Sequence, residues 1–186
     1  SSGGGFSFAD FVTQICALAA GFFVLAVYTM RSNENTGFRA GDATNVTEEF
    51  AAYGLNEKTL YYTRLAKMGC GMAMIVCAAL YPPLTFLPAF VLGAFMVVAV
   101  FMHLRRHEEP LERAYPSMIM LGLCAVIITL ESPIDLIYLG GFTGAVLAVL
   151  VALAKFKPEG DEYYGDLLNQ LTEKLVEKLP ASAQAA

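Results

Sequence analysis

Residues Pro88 to Glu112 read PAFVLGAFMVVAVFMHLRRHEEPLE, and this stretch decides the fold. The apolar run that holds it starts at Leu84 and reaches Leu104 without a fixed charge, with His103 near its end. An α-helix rises about 1.5 Å per residue and a bilayer's hydrocarbon core is about 30 Å thick, so a run of this length crosses it. Arg105, Arg106, His107, Glu108 and Glu109 follow at once. A charge at the bilayer centre costs at least about 2.5 kcal/mol, so this cluster marks one end of a membrane helix.

Working outward, the same test finds further spans at about 11–30, 63–81, 114–130 and 136–154, with the central one at 84–104. In the first span Ala17 and Gly21 form a small-residue notch. In the second, Gly69 and Ala73 have the small-xxx-small spacing that lets another helix approach. The stems of Arg64 and Lys67 are expected to snorkel to the interface. Pro82 and Pro83 force a tight turn, and Pro116 suits the first turn of the fourth span. In the fifth, Gly140, Gly144, Ala148 and Ala152 recur every four residues, a smooth stripe for packing on another subunit.

Two polar segments remain. In the first, about 31–59, Asn45 and Glu48 have capping-box spacing and Gly54 is placed to stop a short helix. The tail, 157–186, carries an amphipathic helix at 161–179. Tyr164, Leu168, Leu171, Leu175 and Leu179 share one side of it, for the membrane surface or a neighbour.

The fold class expected is therefore all-α: a five-span transmembrane bundle over 1–156 and an amphipathic tail over 157–186. The composition agrees. Of 186 residues, 56% are hydrophobic and 16% charged, where soluble domains carry about a quarter charged. The net charge of −5 excludes nucleic acid as a partner. The cysteines, at 16, 70, 77 and 124, all lie in apolar runs and read as packing residues.

The twelve Lys and Arg residues give the orientation. They fall in or beside the 31–67 region, between spans three and four, and after span five. By the positive-inside rule this places the N-terminus on the outer or lumenal side and the C-terminus in cytoplasm, stroma or matrix. The membrane is a thylakoid, an inner mitochondrial membrane or a bacterial plasma membrane.

Chemistry is sparse. No Ser-His-Asp set, phosphate loop or HExxH motif is present, so no catalytic residue is assigned. His103 and His107, four apart, share a helical face: the pair could ligate a metal, His103 could ligate a haem or a chlorophyll, or both are interfacial histidines bonded to Glu108, Glu109 or lipid phosphates. As a chelating pair they lack a further ligand, so no metal site is assigned. Gln14 is a polar group in the first span, either structural glue or a quinone contact. No Asp, Glu, Lys or Arg is expected at mid-span, which lowers ion-coupled transport. A small-molecule carrier would need a polar cavity that the spans hardly supply.

The elements EEFAAYGL before the second span, the proline turn, and FMHLRRHEEPLERAYPSMIMLGL across the third and fourth spans resemble the DoxX-like family of small membrane proteins. The resemblance covers about residues 10–130 and implies a four-helix core, to which the fifth span and tail are additions. It also implies a membrane subunit that partners redox enzymes, in some members quinone-linked. The expected function is an accessory subunit of a large energy-transducing complex, of photosystem or respiratory type. It would pack on other transmembrane subunits through the 140–152 stripe and the tail, with lipid around it. The alternative is a quinone-linked oxidoreductase membrane subunit using Gln14, His103 and Tyr115. Chlorophyll, haem and quinone stay open as cofactors.

Overall fold

The computed structural model describes residues 7–105, 110–131 and 161–179. Its α-helices are α1 (Phe8–Tyr28), α2 (Val46–Ala52), α3 (Glu57–Leu80), α4 (Phe86–Arg105), α5 (Tyr115–Glu131) and α6 (Asp161–Glu177). Short 3-10 turns at Pro82–Thr85 and Leu111–Ala114 lead into α4 and α5. No strand occurs among the described residues. With their lead-in turns, α1, α3, α4 and α5 are each long and apolar enough to cross a membrane. The protein is an integral membrane protein with a four-helix core. The fifth expected span and its small-residue stripe lie outside the described residues, as does His107.

Caps move two boundaries from their expected places. Ser7 Oγ accepts from the Asp10 backbone N–H (3.1 Å), and Asp10 accepts from the Ser7 N–H (2.8 Å). This capping box starts α1 at Phe8, ahead of the apolar run. Asn56 accepts from the Thr59 N–H (2.7 Å), so α3 begins at Glu57 and carries Lys58, Arg64 and Lys67 within it.

α2 is built as its sequence suggests, with one difference. Asn45 accepts from the Glu48 N–H (2.9 Å), but Glu48 returns its bond to the N–H and hydroxyl of Thr44. These bonds hold the Glu48 carboxyl below the usual range, the Thr44 backbone N–H contributing most. Gly54 ends the helix at φ +71°, where a side chain would be strained. The Gly54 and Leu55 N–H groups donate to the Ala51 and Phe50 carbonyls, closing a Schellman motif.

The long helices run up and down. Arg64 donates to the Tyr28 carbonyl (2.6 Å), joining the start of α3 to the end of α1. Gln14 donates to the Ala78 carbonyl (2.9 Å), joining their other ends. At that second end Thr13, fully buried, donates to Glu131 (2.7 Å) at the end of α5. The core joins Ala17, Ala20 and Val24 of α1 to Met74 and Ala78 of α3, Leu92 and Met96 of α4, and Cys124 and Ile127 of α5. The α1–α3 approach uses Gly21 and Gly71: a Cβ on Gly21 would lie 2.7 Å from the Gly71 carbonyl oxygen. Gly69 is exposed and meets nothing, so the expected Gly69–Ala73 contact is replaced by this one.

The tail helix α6 docks on its own chain. A Cβ on Gly165 would lie 2.8 Å from the carbonyl oxygens of both Tyr53 and Gly54. The Asn169 side chain accepts from the Asn56 N–H and the Thr59 hydroxyl, and donates to the Gly54 carbonyl. Arg105 stacks over the Tyr164 ring, 3.9 Å from its centroid. The docking face is thus centred on Gly165, Asn169 and buried Val176, while Leu171 and Leu175 of the expected apolar side stay exposed.

Candidate functional site

The end of the bundle that carries α2 and α6 contains a cleft of about 860 Å³. Pockets for small molecules commonly enclose about 300–1,000 Å³, so its size is that of a ligand site. Its walls are mostly apolar, from Phe23 and Val27 of α1 to Met96 and Ala99 of α4 and Ile119 and Met120 of α5. Leu168, Leu171 and Leu175 of α6 also line it. It is an apolar cleft, not the polar cavity that a small-molecule carrier was expected to need.

Polar groups gather at the end beside α2. Arg39, only 5% exposed, is the hub of the 31–44 loop. It donates to the carbonyls of Glu34 (2.9 Å), Arg31 (2.6 Å) and, more loosely, Ser32 (3.5 Å). Its Nη1 pairs with Glu49 Oε2 at 3.1 Å. Burial pushes the Glu49 carboxyl above the usual range, against the pull of Arg39 and, more weakly, Lys67. The other carboxylate oxygen lies 3.9 Å from His103 Nε2. The Tyr53 hydroxyl sits 2.9 Å from His103 Nδ1 and 3.2 Å from Nε2. So Arg39, Glu49, His103 and Tyr53 form one chain of contacts, from the loop through α2 to α4. Arg113 lines the same cleft and donates to the Gly41 carbonyl (2.7 Å).

Lys67 departs from expectation. It lies ten residues into α3, about 15 Å along the axis, and is 7% exposed. Its ammonium points inward, not to the interface: Nζ is 5.7 Å from the Tyr28 ring centroid and 5.9 Å from that of Phe95. It does not lie at mid-span, where no charge was expected, but beside Tyr28, the last residue of α1. Cation–π contacts contribute about 0.5–2 kcal/mol each, against several kcal/mol to desolvate an ion. Among the described residues Lys67 has no hydrogen bond or ion pair.

Of the residues singled out in the sequence, His103 and Tyr115 both line the cleft. Gln14 does not. It lies at the opposite end of the bundle, where its side chain donates to the Ala78 carbonyl. The Tyr53 hydroxyl already contacts the His103 ring at both nitrogens. No cluster of His, Cys, Asp and Glu suited to a metal occurs among the described residues.

Arg39, Glu49, Tyr53 and Lys67 were missed in the sequence. Lys67 did leave a signal. It shares a spacing of four, three and four with Gly71, Met74 and Ala78, the buried face of α3. Glu49 and Tyr53, four apart on a short helix, left only a weak one.

The fold defines a small multi-span membrane bundle with an apolar cleft at one end. The sequence matches the family model described as the DoxX-like family over residues 15–127, more than half of the chain. The chain belongs to the DoxX-like family. No curated protein and no solved structure matches it.

Proposed function

We propose that the protein is a membrane subunit that holds one lipophilic, polar-headed molecule in the cleft beneath α2 and α6. The observation that carries this reading is the cleft itself: apolar walls, with Lys67, His103, Tyr53 and Glu49 converging at one end. A few placed polar groups in an apolar cavity are the usual form of a small-molecule site. The quinone-linked reading is a special case. His103 and Tyr115 in the cleft favour it, and Gln14 takes no part.

The role as accessory subunit of an energy-transducing complex is a second reading. It draws support from Leu171 and Leu175, which α6 leaves exposed beside its own docking face. We also propose a fifth crossing over 136–154. α5 ends at Glu131 beside Thr13, whereas α6 begins at the opposite end of the bundle, beside Gly54. The clustering of Arg31, Arg39, Lys58, Arg64, Arg105 and Arg113 at that α6 end favours its placement in cytoplasm, stroma or matrix.

Native mass spectrometry of the gently extracted protein tests the ligand reading. The expected result is one retained small molecule, lost when Ala99→Trp fills the cleft while the helical content is unchanged. A wild-type protein that retains nothing, and takes up neither added decyl-quinone nor added lipid, defeats it.

A further inference from the structure

We propose that the molecule in this cleft carries an acidic head, and that the Lys67 ammonium is its counter-charge. The inference rests on the reading of the cleft as a ligand site and narrows the chemical class to an acidic-headed lipid: a carboxylate or phosphate on an apolar chain.

Charge balance makes the argument. Among the described residues, Arg31, Arg39, Lys67, Arg113 and the carboxylate of Glu49 line the cleft, and Arg113 is engaged elsewhere, in part by the Gly41 carbonyl. That carboxylate is already engaged, by Arg39 at 3.1 Å and by His103 at 3.9 Å, with the Ala40 backbone N–H as a further donor. It has no oxygen within ion-pair distance of Lys67. Arg31 has its own partner in Glu34, at 3.4 Å, and both are well exposed. Lys67 is buried and inward, has no ion pair or hydrogen bond among the described residues, lies against the Tyr28 and Phe95 rings, and meets the Glu49 charge only at longer range.

A fold does not need such a group. A buried ion without a partner opposes folding, and an apolar residue of similar length would remove that opposition. Inside membranes, ionisable residues of this kind mark ligand or ion pathways. A neutral quinone carbonyl could accept a hydrogen bond from Lys67 but would leave the surplus charge in place. A carboxylate or phosphate supplies both the acceptor and the opposite charge, in a low-dielectric site where that match counts most. The apolar walls below Lys67, including Phe95, Met96 and Ile119, then accept the chain.

The test compares heads on one chain. Purified protein in dodecyl maltoside at pH 8 is offered oleate, oleyl alcohol, phosphatidate and decyl-quinone at equal concentration, and occupancy is read by native mass spectrometry. Wild type should favour oleate or phosphatidate over oleyl alcohol at least tenfold. Lys67→Met should bind oleate and oleyl alcohol alike, and should melt no lower than wild type without ligand. Lys67→Arg should keep the acid preference. If oleate is preferred to phosphatidate the ligand is a free fatty acid; if the reverse, a phospholipid head; either result supports the inference. Equal occupancy by acid and alcohol in wild type, or an acid preference that survives in Lys67→Met, overturns it while leaving the cleft reading intact. Binding of none of the probes defeats both.

Discussion

The two ends of this bundle treat polar groups in opposite ways. At the end that holds Thr13, three polar side chains each meet a partner. Thr13 donates to Glu131, Gln14 to the Ala78 carbonyl, and Thr85 to the Pro82 carbonyl. At the α2 end, Lys67 lines an open cleft with no hydrogen bond or ion pair among the described residues. In a low-dielectric interior a matched bond is inexpensive and a surplus charge is not. The first end is built for closure, and the second carries a cost that folding alone does not explain.

The comparison can be broken most severely at Arg39. Replacing it by Met strands the Glu49 carboxylate and frees the loop carbonyls of Arg31 and Glu34. Loss of one partner of a buried pair costs about 3–5 kcal/mol. Arg39→Met should therefore lower the melting temperature strongly and open residues 31–44 to protease, with the Thr13–Glu131 end still folded. Adding Glu49→Gln should recover part of the loss, because no charge is then left stranded. Equal stability of Arg39→Met and wild type would show that the loop is held by something other than the guanidinium.

A smaller effect is expected at the seam between the ends. Gly21→Val forces a side chain against the Gly71 carbonyl and Ile75, where a Cβ already falls at 2.7 Å. Overpacking of this kind costs about 1–3 kcal/mol. Thermal unfolding should register it, while the ligand retained in the cleft, farther toward α2, should persist. If Gly21→Val unfolds no earlier than wild type, α1 and α3 are farther apart than described.

The same contrast explains what the sequence discloses. The four spans were legible because length and apolarity decide membrane crossing, and those are properties of a run. Gln14 was legible as a bundle hydrogen bond, since a lone amide in lipid must find a partner. The cleft was not legible. Lysine's stem reaches either way, so whether Lys67 snorkels or turns inward depends on the rotation of α3. That rotation is set by the Gly21–Gly71 approach, a contact between residues fifty apart in the chain. The eye falls first on Gly69 and Ala73, which share a different face. Arg39 and Glu49 meet only because the loop between α1 and α2 folds around the guanidinium, and no periodicity records that. His103 was visible as an outlier in an apolar run, but its partners come from another element.

The smallest effect sharpens the electrostatic side of the comparison. Burial holds the Glu49 carboxyl above its usual range, despite the opposing influence of Arg39 and Lys67. A carboxyl raised on folding binds its proton more tightly in the native state than in the unfolded one. Its contribution is therefore fully present below the unfolded value, about pH 4.3, and is lost as pH rises through the folded value. Glu48 runs the other way: its lowered carboxyl contributes stability above the unfolded value that is lost in acid. Subtracting the melting curve of Glu49→Gln from that of wild type isolates Glu49, with His103 3.9 Å away as its titrating neighbour. The difference should favour wild type by a few degrees more near pH 4.5 than near pH 7.5. A difference that instead grows toward neutral pH means that Arg39 outweighs burial at this carboxylate. The α2 end would then be electrostatically matched like the other, and Lys67 would be the lone exception.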